Sequence, residues 1–311
     1  MDLSILIVSY NNFDILESCL NSIYKFTTRI SFEVIVVDNN SSEKGLSTII
    51  DNFTNLTLIQ NNDNKGFSAA NNQGLAIAKG RYILFLNNDT ELIEDIFYKL
   101  VQFADSSKEK SLIGVKLLNS DLTLQHSIVD FPSIINTFSE SFFLNSIFKN
   151  NKNFNKYWKN YKEYKNPISV DVVLGAFIFG SADIINKMGG FDTQFYFYAE
   201  ETDLCKRFKN DGGKVLYYPS LKLIHIGGVS TNKINWFHFK NQHRGKIQFA
   251  QKHFSSIKLF LFLILHYSGL FMRIPIYFAT GIFTFDKKYF LKSYFYMRQF
   301  VFYPQNKFVK K

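Results

Sequence analysis

Five short apolar runs, at residues 3–8, 32–37, 56–59, 82–86 and 112–118, punctuate the first 118 residues, and helical periodicity lies between most of them. Leu16, Cys19, Leu20, Ile23 and Tyr24 fall on one helical face between the first two runs. Residues 67–78 read as a helix ending at Lys79-Gly80, with Gly80 as its C-cap, and residues 93–104 read as another. Strands separated by helices need right-handed crossovers, so the expected class is α/β with a mostly parallel central sheet. Such sheets bind ligands outside the carboxyl ends of their strands. The polar residues that follow each run are therefore the place to look for a site.

The rest of the chain is less regular. Residues 119–166, rich in Asn, Lys, Phe and Ser, read as a long, partly helical insertion. Apolar structure resumes at 170–173 and 176–180, a short helix is expected at 201–210 before Asp211-Gly212-Gly213, and late strands at 214–217 and 221–225. With 311 residues and 46% hydrophobic composition, the chain can bury a large domain plus an appendage. The division expected is 1–230, with the insertion, and 231–311. Two cysteines, Cys19 and Cys205, make no disulfide framework and fit a reducing compartment. Met1-Asp2-Leu3-Ser4 enters a strand directly, without the basic start and cleavage site of a signal peptide.

Most of the net charge of +10 sits at the C-terminus. From residue 251 onward, Lys252, Lys258, Arg273, Lys287, Lys288, Lys292, Arg298, Lys307, Lys310 and Lys311 face one acid, Asp286, among many aromatics. A basic, aromatic helical tail suggests an anionic partner surface, membrane or nucleic acid. Residues 237–254 read as an amphipathic helix, and residues 259–272 lack any charge. That uncharged run is shorter than the roughly 20 residues of a spanning helix. Extending it to 285 would bury Arg273 at roughly 2.5–3.5 kcal/mol on insertion scales and would include Pro275. The expectation is a tail lying in the membrane interface. No nucleic-acid motif supports the other partner.

Candidate chemistry gathers in five ordered patterns. They are Ile5-Leu6-Ile7-Val8-Ser9-Tyr10-Asn11-Asn12, then Val36-Val37-Asp38-Asn39-Asn40-Ser41-Ser42, then Asn64-Lys65-Gly66-Phe67 with Ala70-Asn71-Asn72-Gln73-Gly74. Leu86-Asn87-Asn88-Asp89-Thr90 follows, and then Gly189-Gly190-Phe191-Asp192 with Tyr198-Ala199-Glu200-Glu201-Thr202-Asp203, leading to Pro219 and His225. Asp89 is a hard oxygen ligand that could hold a divalent cation beside a diphosphate. The alternative is an ordinary turn with Asp89 or Thr90 capping the next helix. Asp38 at a strand end can accept from a pyrimidine N–H or ribose hydroxyls, or form an Asx-turn. Gly66 allows close backbone approach at a helix start. Glu200, Glu201 and Asp203 either complement a helix dipole or supply a general base. A Gly-X-Gly-X-X-Gly fingerprint, a Walker lysine and zinc-type Cys/His spacing are all missing from the sequence.

The ordered series, over about residues 3–230, resembles the family 2 glycosyltransferases of GT-A fold, and most of all their bacterial rhamnosyltransferase-like branch. The resemblance implies an inverting, metal-dependent transfer of a sugar from a nucleotide-diphosphate donor to a hydroxyl of a glycan or polyprenyl-linked acceptor in surface polysaccharide synthesis, at the inner face of the cell membrane. It implies that Ser9, Tyr10, Asn11, Asp38, Gly66, Asn71, Asn88 and Asp89 bind the donor. Asp89 and His225 would hold Mn²⁺ or Mg²⁺, with imidazole favouring Mn²⁺. Glu201 would be the base, and Glu200 and Asp192 would contact the acceptor. Two positions depart from the family pattern. Asn87 replaces the first acid of the Asp-X-Asp motif, and Glu201 stands where an aspartate is usual. A soluble or protein acceptor, or a silent sugar-nucleotide-binding protein of the same fold, is the alternative.

Overall fold

The structure, a computed structural model, describes residues 1–107, 109–148, 164–227 and 235–302. The pattern residues Gly228, Val229 and Ser230 and the tail lysines Lys307, Lys310 and Lys311 lie outside them. The described residues form two compact units, one from 1–131 and 164–227, the other from 132–148 and 235–302. The segment read as one insertion is thus shared between them.

The first unit opens with β1 (Leu3–Ser9), α1 (Phe13–Phe26), β2 (Phe32–Asp38), α2 (Leu46–Ile50), β3 (Leu56–Gln60), α3 (Phe67–Ile77) and β4 (Tyr82–Asn87). These strands lie parallel in the order β3-β2-β1-β4. They read as continuous apolar runs because both faces are covered. Leu3, Ile5 and Ile7 of β1, with Val34 and Val36 of β2, pack against Leu16, Cys19, Leu20 and Ile23 of α1.

Then come β5 (Thr90–Leu92), α4 (Ile96–Ser106), β6 (Ser111–Leu118), β7 (Ile128–Val129), and, within the second unit, α5 (Ile134–Ser141) and α6 (Leu144–Ile147). The first unit resumes with β8 (Ile168–Ser169), β9 (Val172–Val173), β10 (Phe177–Ser181), α7 (Ala182–Lys187), α8 (Glu200–Asn210) and β11 (Lys214–His225). The sheet continues β4-β10-β6-β11-β5, with β10 antiparallel to both β4 and β6 and β11 parallel to β6.

Several boundaries differ from expectation for physical reasons. The two late strands are one, because β11 absorbs Pro219 in a register shift between Tyr218 and Lys222. The helix expected from residue 93 starts at Ile96, because Thr90–Leu92 first pairs with β11. Gly80 is no C-cap: α3 ends at Ala78, in extended conformation. A Cβ at Gly80 would stand 2.4 Å from Ser4 N, so the glycine is needed for backbone contact. There Ser4 Oγ donates to the buried Glu33 carboxylate (2.6 Å) and accepts from Gly80 N (2.7 Å).

The second unit continues with α9 (Trp236–His253), α10 (Ser256–Thr284) and α11 (Lys287–Phe302). Among the described residues, α10 alone is long and apolar enough to cross a membrane, by length and composition. It runs unbroken through Arg273 and Pro275, where the sequence suggests a stop. Arg273 is accommodated because its guanidinium donates to Gly269 O (2.9 Å), Ser141 O (3.0 Å) and Glu140 O and stacks over Phe143. Gly269 lets α5 approach, since a Cβ there would lie 2.7 Å from Ser141 Oγ.

At Gly80 the nearest atoms are backbone and cannot give way. Gly80→Ala should therefore cost at least the roughly 1–3 kcal/mol typical of overpacking. Urea unfolding checks this, with a lower midpoint at an unchanged slope as the expected result.

Candidate active site

Parallel register places Ser9 opposite Asp38, and Val8 opposite Asn87. Three strand ends thus bring Ser9, Tyr10, Asn11, Asp38 and the turn through Asn87, Asn88 and Asp89 to one edge of the sheet. Ser9 is fully buried and its Oγ has no hydrogen-bond partner, whereas Tyr10 is 52% exposed. Asn11 takes a left-handed φ of 57°. Its Oδ1 accepts from Ser42 N (2.9 Å) and Glu43 N (3.2 Å), so it ties down the loop after β2. Buried Asp38 accepts through Oδ1 from Ser41 N (3.2 Å) and Ser41 Oγ (2.5 Å), three residues on, so its carboxylate holds the start of the following loop.

Asp89 leads into a strand and caps no helix. Thr90 Oγ1 donates to Asn87 O (2.8 Å), and the cap of α4 is Asp95, whose Oδ1 accepts from Tyr98 N (3.2 Å). Pairing of β5 with β11 sets Thr90 opposite His225 and lets Ile226 N donate to Asp89 O (2.8 Å). Asp89 Oδ1 lies 3.2 Å from His225 Nε2, and the Asn87 amide nitrogen lies 3.4 Å from the same ring atom. Both side chains are largely buried. A carboxylate oxygen and an imidazole nitrogen make a donor pair that suits Mn²⁺. Among the described residues no group of three or more His, Cys, Asp or Glu converges; Asp89 and His225 stand here as a pair.

The acidic cluster stands on α8. Tyr198 and Ala199, which precede it, both hold φ at 72°, a region costly for residues with a Cβ. Glu200 is buried and its Oε2 has no hydrogen-bond partner. Desolvation first, and then the Glu201 charge, push its carboxyl well above the usual range. Burial also raises Glu201, which retains some solvent exposure. Asp203 is different: fully buried, it pairs with Arg207 Nε (2.7 Å), and Arg207 in turn donates to Met188 O (2.9 Å) and Gly190 O (2.8 Å).

That pair holds the Gly189-Gly190 turn. Gly190, at φ 66°, has no room for a side chain, since a Cβ would lie 2.4 Å from Asn72 Oδ1. The Asn72 amide clamps both backbone groups of Phe191, at 2.9 and 2.7 Å. Asp192 then accepts from Gln194 N (2.9 Å) in a turn.

At Gly66 the close approach is made by the protein itself. A Cβ there would lie 2.5 Å from the Tyr196 ring, and Phe67 N donates to Tyr196 O (2.9 Å). Asn71 is buried and donates to Phe67 O (3.0 Å) within its own helix. Asn88 is partly buried in its turn.

Sequence reasoning passed over the residues that hold these loops. Asn39, just after Asp38, donates to Asn64 Oδ1 (2.9 Å) and accepts from Asn61 Nδ2 (3.1 Å) and Lys65 N (3.0 Å). Asn61 and Gln73 exchange both amide bonds, at 2.8 and 2.9 Å. The signal available was the density of Asn and Gln across 39–40, 61–64 and 71–73. Gln125, whose Oε1 lies 2.6 Å from His225 Nδ1, was also missed.

The sequence model of "Glycosyl transferase family 2" matches residues 4–168. O-antigen biosynthesis protein RfbC of Myxococcus xanthus is 23% identical over 232 residues, 70% of this chain and 16% of that protein. Rhamnosyltransferase WbbL of Escherichia coli K12 is 26% identical over 230 residues, 71% of this chain and 82% of WbbL. The chain therefore spans most of one relative and a small part of the other. Among solved structures, GalNAc-T7 with UDP, GalNAc and Mn²⁺ superposes with a TM-score of 0.58 at 16% identity, over 79% of this chain and 47% of that one.

Because the Glu200 carboxyl is held above its ordinary value, folding favours its neutral form. That stabilisation is complete below the ordinary glutamate pKa and is lost as the pH rises through the raised value. Glu200→Gln keeps the neutral shape at every pH. At pH 8 it should melt above the parent chain, by about 2–4 °C for each kcal/mol gained, and near pH 4 the difference should vanish. Calorimetric melting at the two pH values checks it.

Proposed function

As the chain belongs to glycosyl transferase family 2 and has its GT-A fold, we propose that it transfers a sugar, with inversion, from a nucleotide-diphosphate donor to a hydroxyl of a lipid-linked glycan in surface polysaccharide synthesis. The observation that carries this reading is the convergence of Asp89 Oδ1 and His225 Nε2, 3.2 Å apart, at the sheet edge that also presents Ser9 and Asp38. The name of the relative WbbL supports rhamnose as the sugar.

Ser9, Tyr10, Asn11 and Asp38 form the wall against which the nucleoside sits, with the turn at Asn88 and Asp89 below its diphosphate. Asp89 and His225 would hold Mn²⁺ or Mg²⁺, which supplies Lewis-acid stabilisation to the departing diphosphate. Asn87 adds no charge there, so Asp89 and His225 would be the protein groups that hold the cation.

The two raised carboxyls divide the acid–base work. Glu200, the more deeply buried, has its carboxyl pushed well above the usual range by desolvation and by the Glu201 charge, which suits it to offer a hydrogen bond to an acceptor hydroxyl. Glu201, raised by burial but partly exposed, is the base. It takes the proton of the acceptor hydroxyl as that oxygen bonds to the anomeric carbon and the carbon–oxygen bond to the diphosphate breaks. Asp192 lies on the acceptor side.

The C-terminal helices support a membrane partner. In α10, Phe260, Leu261, Ile264, Phe271, Phe278 and Phe283 are exposed, Phe283 at 84%, as is Phe285 just after the helix at 90%, next to Lys287 and Lys288. An interfacial position suits this helix better than a span, because α5 packs along it and carries the solvent-accessible Glu140–Lys246 ion pair. The chain then works peripherally on the cytoplasmic face.

Glu201→Gln should lower turnover by about 10²–10⁴-fold, as for a positioned base, while calorimetry shows uridine or thymidine diphosphate binding nearly unchanged. Full turnover in this variant, with Glu200→Gln inactive, would move the base to Glu200. For the membrane partner, the full chain with Lys287→Glu and Lys288→Glu should sediment less with anionic vesicles, by about 1 kcal/mol of affinity per charge at low salt. Equal sedimentation of both proteins would remove the membrane reading.

A further inference from the structure

Gln125 belongs to a loop after β6 that the sequence marks for nothing, and its side chain bridges His225 to the rest of the loop. Gln125 Oε1 lies 2.6 Å from His225 Nδ1, and Gln125 Nε2 lies 3.0 Å from both His225 O and Asn119 Oδ1. Which end of the amide faces the ring decides where the ring proton sits. A backbone carbonyl can only accept, so the end beside His225 O is the NH₂.

A second, independent chain of bonds gives the same answer. Asp121 accepts from Thr123 Oγ1 (2.5 Å) and Thr123 N (3.0 Å), as a carboxylate must, and these bonds hold its carboxyl below the usual range. Having spent its proton on Asp121, the Thr123 oxygen accepts from Asn119 Nδ2 (2.9 Å). That orients Asn119 Oδ1 toward Gln125 Nε2. Reversing Gln125 would set oxygen against oxygen at 3.0 Å in two places. The polarity thus runs one way, from His225 Nδ1–H through Gln125, Asn119 and Thr123 to the Asp121 carboxylate. The loop is pinned by Gln125 N donating to Leu117 O (3.0 Å). Gly227, at φ 52°, leaves space for the amide, since a Cβ there would lie 3.0 Å from Gln125 Nε2.

We propose that Gln125 is a positioning residue that fixes His225 in the Nδ1-protonated tautomer and so presents the Nε2 lone pair toward Asp89. The Nε2 lone pair and the Asp89 carboxylate oxygen, 3.2 Å apart, repel; the Asn87 amide, 3.4 Å from Nε2, can donate to the ring alone, whereas a cation would lie against both. The use made of Nε2 rests on the cation reading given under the proposed function, whereas the tautomer itself does not.

The two are separable by experiment. Long-range ¹H–¹⁵N spectra of the metal-free full chain, recorded about two pH units above the ordinary histidine value of about 6.5, read the tautomer of each ring, and His225→Gln identifies its signals. The expected pattern is protonated Nδ1 and bare Nε2. Gln125→Leu should move the ring toward the other tautomer, because it removes the acceptor at Nδ1. Calorimetry with Mn²⁺ and uridine diphosphate should then show metal affinity falling about 10–100-fold in Gln125→Leu, the usual loss for an outer-shell partner. A ring protonated at Nε2 in the parent chain, which needs no variant to observe, overturns the proposal. So does an unchanged tautomer in a folded Gln125→Leu protein. A tautomer that responds as expected, with Mn²⁺ affinity unmoved in both Gln125→Leu and His225→Ala, upholds the role of Gln125 and overturns the cation reading instead.

Discussion

Parallel pairing sets Ser9 against Asp38 and Val8 against Asn87, and a slip of one residue in either ladder would turn every side chain to the opposite face. Both faces of these strands are apolar, so packing against particular neighbours on each face, rather than polarity, holds that register. Leu3, Ile5 and Ile7 face the α1 side, and Leu6 packs near Gly74 of α3. Because the strands end together, the polar residues immediately after them emerge on one edge. The geometry at Asp89 adds a second register, the antiparallel pairing of Thr90 with His225, which carries a residue from far along the chain to within 3.2 Å. The site therefore depends on sheet hydrogen bonds before any side chain makes a specific contact.

The loops beyond those strand ends are held by amides. Asn39, Asn61, Asn64 and Gln73 bond mainly to one another, and Asn72 binds the backbone of Phe191. Asparagine and glutamine each carry donor and acceptor, so a closed set can satisfy itself away from water without placing charge beside the site. The consequence is electrostatic. The amides hold these loops without ion pairs of their own. Asp203, which does pair with Arg207, is given over to holding the Gly189-Gly190 turn.

The parallel half of the sheet could be read from sequence because its strands are buried on both sides and so appear as unbroken apolar runs. The antiparallel insertion of β10, the short β5 and the fusion of the two late strands could not, because each depends on partners far away in sequence. Gly80 shows the same limit. Its position after a helix suggests a cap, while its real constraint is Ser4, 76 residues earlier. In the site, residues at strand ends were legible as a class. The hidden ones were those whose meaning lies in a distant partner, such as Tyr196 against Gly66 and Gln125 against His225. Pro275, read as a break or kink, lies inside the continuous α10. Arg273, read as a charge costly to a span, has its donors satisfied by carbonyls at Glu140, Ser141 and Gly269.

Strain and desolvation meet at the start of α8. Two successive residues with side chains, Tyr198 and Ala199, hold φ at 72°, at a typical cost of about 1–3 kcal/mol each. The segment they belong to is fastened at both ends, by Tyr196 O to Phe67 N upstream and by Asp203 N to Ala199 O downstream. What the turn gains is the placement of Glu200, buried with one oxygen unpartnered, directly beside Glu201. Neither feature helps the fold. A glycine at 199 would relieve the backbone, and a glutamine at 200 would remove the buried charge. A sequence shaped by stability alone would relax both, so the strained turn and the desolvated carboxyl it delivers support the acid–base role proposed for Glu200 and Glu201.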